Sequence, residues 1–85
     1  MIKYTKYKKC YSSNLIFTEE VPFKIHILEI NSTKYQLFVY NTVSKDSEYI
    51  STYKTLQEAK NEGKKYLKRI GIVNETNIRK TFLTS

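Results

Sequence analysis

The sequence predicts an α+β domain: a small antiparallel β-sheet of three to four strands with one amphipathic helix packed on one face. Three observations predict it. Residues 23–53 hold three runs rich in β-branched and aromatic side chains, separated by short polar connections. Residues 55–71 carry apolar positions at helical spacing between two helix-end signals. The length, 85 residues, is too short for two cores. The whole chain, 1–85, therefore reads as a single domain with its core in 23–70 and flanking segments 1–20 and 72–85.

The first strand runs from Phe23 to Ile30, just after Pro22. Asn31-Ser32-Thr33-Lys34 is turn material. Tyr35 to Tyr40 is the second strand, residues 41–47 a polar connection, and Glu48 to Tyr53 the third strand. Short connections favour an antiparallel meander.

Thr55-Leu56-Gln57-Glu58 is a capping box: the Thr55 hydroxyl accepts the Glu58 N–H, and Glu58 reaches back to the Thr55 N–H. Behind it Leu56, Ala59, Gly63, Tyr66, Leu67 and Ile70 form one stripe, and Gly71 stands where a C-terminal cap glycine belongs. Gly63 costs a helix about 1 kcal/mol relative to alanine. Its place on the inward stripe suggests close approach to the sheet.

The flanks leave alternatives open. Tyr4, Tyr7 and Tyr11 have helical spacing, while Ile2, Tyr4 and Thr5 suit a strand. Leu15 to Thr18 suits a short strand turned by Glu19-Glu20. At the other end, Asn74 could cap a short helix with Ile78 and Phe82 inward, or Ile78 to Leu83 could return as an edge strand.

Strand alternation divides the sheet into two faces. Ile25, Ile27, Leu37, Val39 and Ile50 match the helix stripe and should form the core. Lys24, His26, Leu28, Gln36, Phe38, Tyr40, Tyr49 and Tyr53 collect on the other face. Three readings compete for that second face. Residues 1–20 or the C-terminal tail could cover it. Its rings could stack on bases. It could be a protein interface.

Charge points to an anionic partner. Fifteen Lys and Arg stand against eight Asp and Glu, a formal net charge of +7. Lys3, Lys6, Lys8 and Lys9 precede any acidic residue. Lys60, Lys64, Lys65, Lys68 and Arg69 lie off the helix's apolar stripe. Excess local positive charge attracts nucleic acid regardless of its sequence. Cations late in a helix also complement its dipole. Usage rich in Lys, Asn, Ile and Tyr fits an AT-rich coding sequence, of the sort common in phages and other mobile elements, so part of the charge reflects composition alone.

Catalysis and metal binding find little support. Cys10 is the sole cysteine and His26 the sole histidine, which excludes an internal disulfide and a cysteine or histidine zinc site. Neither has a sequence-local partner for nucleophilic or acid–base chemistry. The basic N-terminus has no apolar run behind it, and no stretch approaches the ~20 residues of a membrane span. The expectation is a cytoplasmic protein with no cofactor, no membrane contact and a monomeric or small homo-oligomeric state.

Ser51-Thr52-Tyr53-Lys54-Thr55, Glu58-Ala59 and Tyr66 carry a resemblance. The stretch from Tyr35 to Tyr66 resembles the sheet-plus-helix DNA-binding module of the AP2 type, shared with the arm-binding domains of tyrosine integrases. The resemblance implies that the helix packs on one sheet face. It also implies that the other face, with Gln36, Phe38, Tyr40, Tyr49 and Tyr53, reads the major groove.

The function expected from all this is non-enzymatic binding of nucleic acid, DNA or RNA, through the lysine clusters and through Phe38, Tyr40, Tyr49 and Tyr53. The alternative is a protein-targeting modulator that inhibits a host or defence complex, in the manner of an anti-CRISPR protein, through an acidic protein surface.

Overall fold

The computed structural model describes residues 2–72. It contains a five-stranded antiparallel sheet in the order β1-β2-β3-β4-β5 and one helix. The strands are β1 (Tyr4–Tyr7), β2 (Cys10–Ser13), β3 (Phe23–Asn31), β4 (Lys34–Asn41) and β5 (Asp46–Tyr53), and the helix is α1 (Leu56–Ile70). The sheet thus has five strands where three to four were expected. The two extra strands come from the N-terminal flank, which settles the choice between helix and strand there. The helix or strand expected around Asn74, Ile78, Phe82 and Leu83 lies outside the described residues.

The turns follow from short polar side chains. Asn31 Oδ1 accepts the Thr33 N–H at 2.9 Å. Asn41 Oδ1 accepts from Val43 at 2.9 Å and Ser44 at 3.0 Å. Such Asx turns close the β3–β4 and β4–β5 hairpins. The β1–β2 hairpin turns on Lys8 and Lys9 instead, with Lys8 at φ 57°. That left-handed conformation is unusual for a residue with a Cβ.

The β2–β3 loop does not cross the aromatic face. Ile16 pairs with Phe23, and Thr18 pairs with Ile72 beyond the helix. Ile16 is buried, while its neighbours Leu15 and Phe17 are exposed. Residues 14–22 therefore close one end of the helix-side core. At the end of β2, buried Ser13 accepts the Ile25 N–H at 2.8 Å through its hydroxyl. That bond satisfies a core backbone donor where the ladder stops.

The core lies between the sheet and α1. Ile25, Ile27, Leu37 and Val39 are buried against Ala59 and Leu67, with Ile16 and Phe23 beside them. Leu56, Tyr66 and Ile70 pack at the margin. A Cβ on Gly63 would stand 3.1 Å from Ile25 Cδ1 and 3.2 Å from Leu37 Cδ1, so the glycine does serve close approach.

The helix ends match the signals in the sequence, with one change. Thr55 Oγ1 accepts the Glu58 N–H at 3.1 Å. Glu58 reaches back to the Lys54 N–H at 3.3 Å, one residue earlier than Thr55. Gly71 caps the other end at φ 104°, its N–H donating to Leu67 O at 3.0 Å.

Candidate nucleic-acid interface

The register lines up the side chains that share the outer face. One row runs Thr5, Ser12, His26, Phe38, Tyr49 across all five strands. The next runs Tyr7, Cys10, Leu28, Gln36, Thr52, and a third holds Lys24, Tyr40 and Ser47. Of the expected aromatic set, Phe38, Tyr40 and Tyr49 are here. Phe38 and Tyr49 meet edge-on with centroids 5.6 Å apart, and His26 stacks on Tyr40 at 5.5 Å. Such pairs hold rings in fixed orientations. Tyr49 is 52% exposed and Tyr7 73%.

Tyr53 belongs to the other face. The β4–β5 ladder shifts register between Leu37 and Phe38, so Leu37 opposes Ser51 and Phe38 opposes Tyr49. Ile50 is the extra residue of this β-bulge. A bulge inserts one residue and reverses the alternation beyond it. Tyr53 consequently opposes Tyr35 and packs at the margin of the helix-side core, as Ile50 does. Uninterrupted alternation from Tyr49 could not reveal this.

The cations are divided as well. The helix lies on the opposite side of the sheet, so Lys60, Lys64, Lys65, Lys68 and Arg69 do not share a surface with Phe38, Tyr40 and Tyr49. Lys65 is paired with Glu62 at 3.2 Å. Lys60 lies over the Tyr4 ring, 4.8 Å from its centre. The N-terminal lysines also scatter. Lys3 precedes β1 and is exposed. Lys6, in register with Tyr11 on the helix side, lies 3.7 Å from Glu29 and 5.1 Å from the Tyr11 ring centre. Its pKa is raised, first by a hydrogen bond with Tyr11 and then by Glu29. Lys8 and Lys9 form the hairpin turn, with Lys8 over the Tyr7 ring.

The outer face carries no carboxylate among the described residues. Glu29, Asp46 and Glu48 are in register with Tyr35, Asn41 and Val39, all on the helix side. Glu48 accepts from the Tyr66 hydroxyl at 3.0 Å. Glu58 and Glu62 are on α1, Glu19 lies against Gly71, and Glu20 lies near Tyr66 and Ile70. The face is therefore aromatic and polar, with Lys24 in its rows and exposed Lys34 at the same parity of β4 as Gln36, Phe38 and Tyr40.

His26 sits at the centre of this face. Desolvation, then the charge of Lys24, holds its pKa below the usual 6.5. It is neutral at pH 7. The alternation that put His26 on this face with Lys24 and Phe38 holds, and its ring stacks there on Tyr40. Thr5, Tyr7, Cys10 and Ser12 were missed for this face; the strand-like Ile2, Tyr4 and Thr5 were the only signal that the N-terminus could bring them there.

Among the described residues, no group of His, Cys, Asp or Glu is placed to hold a metal ion. None of the described helices is long and apolar enough to cross a membrane. No protein-family profile, curated protein or solved structure matches the chain.

Proposed function

We propose that this is a small non-enzymatic binding domain whose outer sheet face takes single-stranded nucleic acid. One observation carries the reading: an outer face whose rings, Tyr7, His26, Phe38, Tyr40 and Tyr49, lie on β1, β3, β4 and β5, free of carboxylates among the described residues, in a chain of net charge +7. Bases stack on exposed rings without regard to sequence, and a cationic protein attracts phosphates. Carboxylates on such a face would repel the strand.

The width of the sheet favours single strands over duplex. Five strands at about 4.8 Å spacing span roughly 19 Å, whereas the major groove is about 12 Å wide. The whole face is too broad to enter the groove as a three-stranded module does. The AP2-type resemblance supports nucleic acid as the partner class, and the extra hairpin argues for a different mode of contact.

Fluorescence anisotropy of a labelled oligothymidylate, beside a duplex of equal length, tests the reading. Preferential single-strand binding that weakens steeply with salt is expected. Absence of binding at low salt would remove nucleic acid as the partner and leave the protein-targeting alternative.

A further inference from the structure

A groove of about 820 Å³ runs between α1 and the start of β1, on the side of the sheet away from the aromatic face. Lys60, Lys64 and Lys68 line it together with Asn61 and Tyr4. At four residues per step the lysines are spaced by about 6 Å along the helix. That spacing is comparable to the separation of successive phosphates on a nucleic-acid strand. Among the described residues none of the three is paired with a carboxylate, and the nearest acid to the lining, Glu19, stands against Gly71 at the end of the groove.

Tyr4 supplies an independent observation. Its hydroxyl is buried and has no hydrogen-bond partner among the described residues. Burial pushes its pKa up to about 12, so it remains a protonated donor at neutral pH. An unmet buried hydroxyl is costly, and phenylalanine would fill the same space without that cost. Tyr4 lines the groove, so an occupant there would supply the partner that its hydroxyl lacks.

We propose that this groove holds the sugar–phosphate backbone of a nucleic-acid strand, as a second contact separate from the sheet face. The protein would then hold two stretches of strand, one on each side of the sheet. Resting on nucleic acid as the partner, this extends the outer-face reading to the helix lysines that the fold had set apart from it.

The test compares Lys60→Gln/Lys64→Gln/Lys68→Gln, Tyr4→Phe and Phe38→Ala/Tyr49→Ala with the parent protein on labelled oligothymidylate. The triple variant should lose roughly two units of the slope of log K against log salt, at about 0.7 per single-strand phosphate. Tyr4→Phe should melt no lower than the parent yet bind several-fold more weakly. An unchanged salt slope in the triple variant, or unchanged affinity in Tyr4→Phe, overturns the groove and leaves the sheet face standing. A reduced slope with full affinity in Phe38→Ala/Tyr49→Ala sinks the sheet face and leaves the groove. Polyglutamate displacing the oligonucleotide at equal charge would also overturn it, because the groove would then be a general anion site.

Discussion

Tyr49 and Thr52 are three residues apart on one strand, yet their hydroxyls lie 2.6 Å from each other. In a regular strand, residues three apart point to opposite faces. The bulge at Ile50 brings them to the same one. The bond fixes the Tyr49 ring on the outer face beside Phe38, and the same bulge sends Tyr53 to the helix. One inserted residue thus determines which tyrosine is available to a ligand.

The helix caps should carry measurable stability. Thr55→Ala should cost about 1 kcal/mol in denaturant melts. Gly71→Ala should cost at least as much, because φ is 104° and the new Cβ would lie 2.6 Å from Glu19 Oε2. A neutral Gly71→Ala would mean that the helix ends differently.

Gly63 tests how tightly the helix sits on the sheet. Gly63→Val should destabilise by roughly 1–3 kcal/mol through overpacking against Ile25 and Leu37. Helix propensity works in the opposite direction, since glycine is the poorer helix former. A variant as stable as the parent would show that the interface has room.

His26 should give stability and binding opposite pH dependences. Its folded pKa is lowered, so the unfolded chain binds the proton more readily. The contribution of neutral His26 is present above the usual 6.5 and is lost as pH falls from there through the folded value. Binding runs the other way, because an imidazolium attracts phosphate. Melts and anisotropy titrations between pH 5 and 8 should show the two trends, and His26→Gln should remove both. Affinity that falls together with stability on acidification would place His26 outside the contact.

The helix was legible because its signals are local: Thr55, Glu58 and Gly71 act within a turn of their own positions. Strands β3 and β4 were legible because Ile25, Ile27, Leu37 and Val39 alternate without interruption. The β1–β2 hairpin was obscure because its turn is Lys8-Lys9, with none of the glycine or asparagine that marks a left-handed turn. The place of Tyr53 was hidden for another reason. A bulge is a relationship between two strands, and Ile50 carries no mark of it. Charge alone groups the helix lysines with the sheet aromatics, although the apolar stripe of Leu56, Ala59, Gly63 and Leu67 already places the helix on the opposite side of the sheet.

The most direct measurement is the affinity of Tyr49→Ala for labelled oligothymidylate, taken beside Tyr53→Ala and with melts of both. Tyr49→Ala should weaken binding by roughly 1–3 kcal/mol and barely move the melt, because half of its surface already meets solvent. Tyr53→Ala should do the reverse, keeping affinity while losing about 2 kcal/mol of stability, less than the ~3–5 of a fully buried ring. Full affinity in Tyr49→Ala, at a salt concentration where the parent protein binds, would contradict the outer face as the binding surface.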